Sequence, residues 1–328
     1  MRKALLDILK CTRCGGDDIS CVSVEHGDVH VIHAGAFVCS SCGREYRCDD
    51  GILNMLKNDE PATRYNSGDS VGKNEAIKRE IEAGAEKELI ATRANLEPKW
   101  VLSSTKDFEQ VFADISLTGK ERVLEIGAGT GWATSLFSER GCECVATDVI
   151  KANKLSVADY WYGKKKIYFD RVLTDMDAPC FKGSSFDIIF GVSTFMYSRD
   201  VCSVMRELYR VLKPGGMLLL IDEPVVPIYK RDKSKRCMGS GKACDIVQWN
   251  RYIKGAGFKI ARRHIAHSVG LRFARPELIL NRRKWYYYVA VMGNKLGIQN
   301  MLDLINHSAT AYVLQTFGVA PLIVIAVK

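Results

Sequence analysis

A short apolar run followed by a glycine-rich turn stands out in the pattern of apolar and polar positions. Residues 123–126 read Val-Leu-Glu-Ile, and glycine then occupies every second position, at Gly127, Gly129 and Gly131. An apolar run bounded by turn residues is typical of a buried strand. Glycine lets the backbone turn sharply and lets a ligand approach it without a Cβ in the way. Because residues 132–140 are compatible with a helix, this stretch predicts a strand, a ligand-binding turn and a helix.

Further strands and helices alternate from this stretch to the end of the sequence, which indicates an α/β domain with a parallel sheet. The strands are predicted at 121–126, 143–148, 167–173, 186–191, 216–222, 257–265 and 320–327. The helices are predicted at 75–94, 105–116, 131–140, 152–161, 200–212 and 243–256. Residues 58–73 are polar and contain proline and glycine, which is typical of a linker or a flexible lid.

The details of the turn distinguish between nucleotide ligands. The dinucleotide fingerprint requires Gly-x-Gly-x-x-Gly, whereas here the third glycine comes one position early. Glu125 lies within the run, where its carboxylate disfavours a pyrophosphate but tolerates a ligand with an ammonium group. Asp148 ends the next strand, where an acid can accept hydrogen bonds from ribose hydroxyls. A ribose-binding acid without a phosphate site favours S-adenosylmethionine over NAD.

On these residues the chain resembles the class I S-adenosylmethionine-dependent methyltransferases, of the type 11 kind. Their first motif reads acid-x-Gly-x-Gly-x-Gly, and residues 125–131 match it. The segments 171–179, 185–190 and 207–221 resemble the later motifs of the family and occur in the same order. The resemblance implies a Rossmann-like, seven-stranded class I methyltransferase domain and S-adenosylmethionine-dependent methyl transfer. It also implies cofactor contacts from Glu125, Gly127, Ala128, Gly129, Asp148, Asp175, Met176 and Ser193, with Asp175 at the adenine amino group.

Two Cys-x-x-Cys pairs near the N-terminus have the ligand spacing of a tetrahedral zinc site. Cys11 and Cys14 form one pair, and Cys39 and Cys42 form the other. Four thiolates leave no open coordination position, so we expect the Zn²⁺ to be structural; a redox pair or a chance spacing is the alternative. The segment resembles the small zinc-binding activator subunits of tRNA and rRNA methyltransferases. We therefore predict a zinc ribbon at 1–58, a linker and helical cap at 59–118, and the methyltransferase domain at 119–328.

The basic residues are concentrated in the last third of the chain. Residues 225–328 contain 18 of the 47 Lys and Arg residues but only 4 of the 38 Asp and Glu residues. Most of this excess lies in two predicted insertions, at 225–242 and 268–316. One interpretation is a solvated basic face, and the other is a surface for an anionic substrate. We expect a small anionic metabolite or a nucleotide-linked sugar as substrate, and RNA (rRNA or tRNA) is the alternative.

The sequence leaves the catalytic residues unknown. The candidates for a base are Tyr197, Glu223, His264 and His267. For each of them taken alone, a structural role is favoured over a catalytic one. The N-terminus is too short and too charged for a signal peptide, and the longest apolar run is too short to span a bilayer. We therefore expect a cytoplasmic enzyme without membrane contact, and the sequence indicates no obligate protein partner.

Overall fold

The computed structural model describes residues 1–28, 30–57, 98–151, 155, 158–228, 236–237, 241–242, 244–266, 308–316 and 321–328. The predicted linker at 58–73, the predicted helix at 75–94, His267 and most of both basic insertions lie outside these residues. Among the residues that are described, no helix combines the length and the apolar character that a membrane span requires.

In the part of the chain that the structure describes, eleven strands form one mixed sheet in the order β1-β2-β3-β4-β7-β6-β5-β8-β9-β13-β12. The strands are β1 (Ile19–Gly27), β2 (Ile32–Cys39), β3 (Glu45–Asp49), β4 (Ile52–Asn54), β5 (Arg122–Ile126), β6 (Glu143–Asp148), β7 (Asp170–Leu173), β8 (Phe186–Val192) and β9 (Leu212–Glu223), followed by β12 (Lys259–His264) and β13 (Leu322–Val327). Within the described residues, two further short strands, β10 (Arg236–Cys237) and β11 (Gly241–Lys242), form a separate pair.

Six α-helices accompany the sheet in the described residues. They are α1 (Pro98–Asp114), α2 (Trp132–Ser138), α3 (Tyr160–Lys165), α4 (Val201–Val211), α5 (Ile246–Gly255) and α6 (Ser308–Thr316). Lys3–Ile8 forms a two-turn 3-10 helix and Phe195–Tyr197 forms a single 3-10 turn. Side chains define two helix starts: Asp200 accepts from two backbone amides of α4, and Asp245 forms a capping box with Gln248 at α5.

The seven predicted strands are confirmed as β5 to β9, β12 and β13. In the order of their appearance in the chain they lie 3-2-1-4-5-7-6 across the sheet, with β13 antiparallel to its neighbours. This is the class I methyltransferase fold. Several predicted boundaries were wrong: the helix predicted at 105–116, for example, is α1, which already starts at Pro98. The helix predicted at 152–161 is found as α3, where Trp161 donates from its indole nitrogen to Thr130 O, and β9 starts at Leu212 because that residue pairs with Phe186 of β8.

Both faces of the sheet are covered at its central strands, such as β5 and β9, so side chains alternate between two cores along these strands. Leu124 of β5 and Leu218 of β9 belong to the core that includes α4 and α5. Val123 and Leu219, one position away on the same strands, belong to the core that includes α1 and α2. The N-terminal strands share the first of these cores, since Phe37 of β2 is fully buried within it.

The four N-terminal strands extend the Rossmann-like sheet and do not form a sheet of their own. They form an antiparallel meander from β1 to β4. β4 then pairs in parallel with β7, with Ile52 opposite Arg171. Arg2 reinforces this attachment by donating from its backbone N and its Nε to Asp170 at the start of β7, at 2.6 and 2.8 Å.

Candidate cofactor and metal sites

The glycine turn lies where the sheet topology favours ligand binding. β5 to β9 are parallel, so their carboxyl ends share one edge of the sheet. Ile126 at the end of β5 lies between Thr147 of β6 and Gly191 of β8. The strands that follow β5 in the chain are added on opposite sides of it: β6 and β7 lie on one side, and β8 and β9 lie on the other. Open α/β sheets bind ligands at such a switch point, outside the carboxyl ends of the strands.

The backbone of this turn has a conformation that glycine adopts much more readily than other residues. Gly127, Gly129 and Gly131 have φ angles of 67°, 55° and 76°. Packing excludes a side chain as well, because a Cβ on Gly127 would lie 2.0 Å from Thr194 Oγ1 and one on Gly131 would lie 2.8 Å from Phe169 Cζ. The glycines therefore let the turn pack closely against two neighbouring segments.

Three amides of the turn are used within the protein. The N–H of Ala128 donates to Thr147 O at 2.8 Å, and the N–H of Gly131 donates to Ala128 O at 2.9 Å. The N–H of Gly129 donates to Asp148 Oδ2 at 2.9 Å. A pyrophosphate is normally bound by free amides at such a turn. This turn does not present these three amides to a phosphate, which agrees with the absence of the dinucleotide fingerprint.

Glu125 is directed into the protein and not toward solvent. It is 2% exposed, and Thr134 Oγ1 of α2 donates to its Oε2. Burial raises the pKa of Glu125 to about 8, and Asp148 adds a smaller repulsion in the same direction. The side chain thus connects β5 to the first turn of α2, and its predicted contact with the cofactor stays a prediction.

Asp148 and Asp175 follow adjacent strands, as the sequence predicts, and both are hydrogen-bonded. Asp148 accepts from the N–H of Ile150 at 3.0 Å in addition to its bond from the turn. Asp175 accepts from the N–H of Asp177 at 3.0 Å, and its other oxygen lies 3.2 Å from Arg199 Nη2. The ion pair between Arg199 and Asp175 places a cation beside the acid that the family resemblance assigns to adenine.

Sequence reasoning missed Arg199, which links the segments that follow β7 and β8. Its Nε donates to Asp177 Oδ2 at 3.0 Å, and Ser198 Oγ donates to Asp177 Oδ1 at 2.7 Å. The residues lie 22 positions apart in the sequence, so no local pattern could have found them. Met176 lies between the two acids and is 7% exposed, so the segment that carries the predicted adenine contacts is well packed.

Two strained residues lie side by side at the ends of β8 and β9. Ser193 and Asp222 have φ angles of 48° and 55°, in the left-handed region that non-glycine residues rarely adopt. Ser193 Oγ donates to Asp222 O at 2.7 Å, and its N–H donates to Ile221 O at 2.9 Å. Such strain is typical of functional sites, and Ser193 was predicted to lie near the cofactor.

Glu223 holds the segment that follows β8. It is fully buried, and its carboxylate accepts from the backbone N–H groups of Thr194, Phe195 and Met196 at 2.7, 2.9 and 3.3 Å. Burial raises the pKa of Glu223 to about 7, although the three hydrogen bonds act in the opposite direction. Tyr197 ends the same 3-10 turn and is half-buried, and burial followed by the charge of Glu223 raises its pKa.

His264 lies on β12, beside a different set of residues. It is 3% exposed, and its Nε2 lies 3.0 Å from Asp114 Oδ2 at the end of α1. Arg262 also contacts this carboxylate, at 3.0 Å. Burial lowers the pKa of His264 more than the attraction of Asp114 raises it, so the imidazole is neutral at neutral pH.

The four predicted metal ligands converge in the N-terminal meander. The Sγ atoms of Cys11, Cys14, Cys39 and Cys42 all lie within 4.8 Å of one another. The Cys11–Cys42 and Cys14–Cys39 sulfur distances are 3.6 and 3.7 Å. Zinc–thiolate bonds of about 2.3 Å in a tetrahedron put the sulfurs about 3.8 Å apart. The donor set therefore fits a tetrahedral zinc ion.

Hydrogen bonds to the sulfurs support the same interpretation. The N–H of Arg13 donates to Cys11 Sγ and the N–H of Gly16 donates to Cys14 Sγ, both at 3.4 Å. The buried Tyr46 hydroxyl lies 3.0 Å from Cys11 Sγ. Donors of this kind orient and stabilise metal-bound thiolates. Cysteine spacing alone could not have predicted Tyr46, which lies four residues beyond the second pair.

The comparisons with known proteins agree with the fold. Residues 124–220 match the model of a family described as "Methyltransferase domain", and these residues include the glycine turn and β6 to β8. The chain thus contains a methyltransferase domain of class I fold, and the matched residues account for about a third of the chain.

Three relatives are similar over about a third of the chain. Biotin biosynthesis bifunctional protein BioHC of Cellvibrio japonicus is 35% identical over 30% of this chain and 18% of its own. Malonyl-(acyl-carrier protein) O-methyltransferase 1 of Coxiella burnetii is 34% identical over 30% and 32%, and methyltransferase GfsG of Streptomyces halstedii is 30% identical over 35% and 42%. The chain therefore spans less than half of the length of these relatives.

Solved structures of similar fold include a putative methyltransferase from Bacillus halodurans, with a TM-score of 0.44 and 24% identity over 48% of this chain and 71% of that one. An S-adenosylmethionine-dependent methyltransferase from Mesorhizobium loti has a TM-score of 0.46 and 16% identity, over 68% and 97%.

Proposed function

We propose that this protein is an S-adenosylmethionine-dependent methyltransferase whose cofactor binds at the glycine turn after β5. The match of residues 124–220 to a methyltransferase-domain model is the observation that carries the proposal. The turn supports it, because its amides are bonded within the protein and Asp148 ends the adjacent strand. When bound, S-adenosylmethionine supplies a methyl group that its sulfonium charge has already activated.

The chain's own residues would hold and orient the cofactor. Gly127, Ala128 and Gly129 provide a backbone surface without large side chains, and Asp148 would accept from ribose hydroxyls. Asp175 and Met176 would bind adenine, and Ser193 would lie near the cofactor from the end of β8. Positioning of the reactants provides much of the rate of such a transfer.

The candidate bases differ in what surrounds them. The Glu223 carboxylate accepts three backbone amides, which favours a role in fixing the segment after β8. The neutral His264 lies against α1, which favours a structural role. Tyr197 follows β8 at the carboxyl edge, so among the described candidates we assign it to the substrate side of the site. His267 lies outside the described residues.

We further propose that Cys11, Cys14, Cys39 and Cys42 bind one structural Zn²⁺. The distances between their sulfurs and the amide donors around them support this assignment. An ion with four thiolate ligands has no open position for a substrate, so it would stabilise the meander and take no part in methyl transfer.

We propose a small anionic metabolite or a nucleotide-linked sugar as the methyl acceptor. The basic excess in residues 225–328 supports an anionic substrate, and two of the relatives are named for O-methyl transfer or simply as methyltransferases. The test supplies the purified chain with tritiated S-adenosylmethionine and, separately, a small-metabolite extract and total RNA. Label in the metabolite fraction supports the proposal, label confined to RNA identifies a nucleic-acid substrate, and no label in either contradicts methyl transfer to both classes.

A further inference from the structure

The segment that carries Asp175 and Met176 is attached to the N-terminal meander at its start. Residues 174–179 leave β7, whose outer neighbour is β4. Asn54 of β4 lies opposite Leu173. The N–H of Met55 then donates to Leu173 O at 2.8 Å. The last backbone carbonyl before the segment is therefore held by the meander.

The same segment is attached to the N-terminal residues at its end. The N–H of Lys10 donates to Cys180 O, and the N–H of Lys182 donates to Ile8 O, both at 2.9 Å. Leu9 and Phe181 lie between these two bonds as an isolated antiparallel bridge, and both side chains are fully buried. Residues 174–179 thus span two backbone anchors that both belong to the N-terminal part of the chain.

The second anchor is continuous with the cysteine cluster. Lys10 directly precedes Cys11, whose N–H donates to Gly16 O at 2.7 Å in the turn that carries Cys14. A metal ion that fixes this turn would also fix residues 8–10, which directly precede it. The methyltransferase domain also holds the segment. The N–H of Thr174 donates to Asp148 O at 3.0 Å, and Ser198 and Arg199 bond the side chains of Asp175 and Asp177.

We propose that the metal-bound N-terminal meander positions residues 174–179 and so sets the affinity and selectivity of the site for adenine. The inference rests on the proposed binding of S-adenosylmethionine. It makes the zinc ribbon a part of the cofactor site, in addition to a stabilising element. The positioning groups are backbone atoms of Ile8, Lys10 and Met55, which touch the segment's ends and not the ligand.

The test removes one anchor while the cysteines stay in place. Lys10→Pro eliminates the N–H that bonds to Cys180 O, and Lys10→Ala is the matched control. Both variants lose the lysine contact with Glu207, which is 3.7 Å long, but only the first loses the backbone bond. Wild-type protein stripped of metal by a chelator is the second perturbation, because it tests the same coupling without any substitution.

Two readouts report on the segment. Hydrogen exchange of the Asp177 and Ala178 amides measures its order without any ligand, and we expect faster exchange in Lys10→Pro and in the stripped wild type than in Lys10→Ala. Calorimetry compares S-adenosylhomocysteine with S-inosylhomocysteine, which lacks the exocyclic amine. We expect the preference for the adenosyl compound to fall about tenfold in both perturbed samples, the effect of roughly one lost hydrogen bond.

The outcomes separate the inference from the function on which it rests. Exchange rates and a nucleoside preference that match the Lys10→Ala control in both perturbed samples would overturn the positioning role. Wild type that binds neither nucleoside would contradict the proposed function, and hydrogen exchange would then still decide whether the meander orders the segment. If Lys10→Pro does not fold, the stripped wild type decides alone.

Discussion

Substitution of Gly127 by alanine tests the packing of the turn most sharply. The new Cβ would lie 2.0 Å from Thr194 Oγ1 and 2.9 Å from Thr194 Cβ. Rotation of the threonine can move the hydroxyl but not its Cβ. The φ angle of 67° at Gly127 adds strain for any residue with a side chain. Both effects destabilise the folded state.

The magnitude has two separable parts. A left-handed φ costs a non-glycine residue about 1–2 kcal/mol, and overpacking costs about 1–3 kcal/mol. We therefore expect Gly127→Ala to lower the free energy of unfolding by about 2–5 kcal/mol. Gly215→Ala is the matched control, because its φ is 75° but its Cβ would meet nothing within 4 Å. The control should therefore lose only the cost of the left-handed backbone, about 1–2 kcal/mol.

Urea denaturation with linear extrapolation measures both values. A double variant with Thr194→Ala should recover part of the loss, because it removes Oγ1 and leaves only the Cβ contact. Calorimetry on the same samples should show weaker S-adenosylmethionine binding in Gly127→Ala than in the control. Equal free energies of unfolding for Gly127→Ala and Gly215→Ala would refute the close contact between the turn and the segment after β8.

Three further predictions concern buried groups. Cys39→Ser should lose the bound zinc, and its N-terminal meander should become protease-sensitive. The control Cys21→Ser lies at an exposed position outside the cluster and should keep its zinc and its resistance to protease. Full zinc occupancy in Cys39→Ser would disprove the ligand set. Tyr46→Phe should lower the free energy of unfolding by about 1 kcal/mol, because it removes the hydrogen bond that the part-buried N–H of Thr12 donates to the Tyr46 hydroxyl. It should also release zinc faster to a chelator, and wild-type values in both assays would exclude the role. The pKa of Glu125 is about 8 in the folded state and 4.5 ordinarily, so the folded chain binds this proton more tightly than the unfolded chain. The free energy of unfolding should therefore fall as the pH rises from about 4.5 to about 8. Glu125→Gln should remove this pH dependence, and identical pH profiles of unfolding for variant and wild type would contradict the prediction.

The sequence predicted the methyltransferase part well because its signals are local. The glycine turn at 127–131 follows its strand directly, and the later strands are recognisable as short apolar runs in the sequence. The Cys-x-x-Cys pairs also carry their geometry in their spacing, so the ligand cluster could be predicted before its surroundings were known. Their resemblance to a ribbon did not indicate how the meander attaches.

Other features depend on contacts between distant residues. β4 has only three residues and pairs with β7, which lies about 120 positions away, so the continuous sheet had no local signal. The same holds for Arg199 and its two acids. Glu223 was recognised as a residue at the correct edge of the sheet, but only the structure revealed the three amides that its carboxylate accepts.

Calorimetric titration of the purified wild-type chain with S-adenosylmethionine and, separately, with NAD tests the central claim most directly. Gly129→Val is the control, because its side chain would occupy the surface where the cofactor is proposed to lie. We predict that wild type binds one S-adenosylmethionine per chain and no NAD, and that the variant binds neither. Binding of NAD without measurable affinity for S-adenosylmethionine would contradict the assignment of this protein as a methyltransferase.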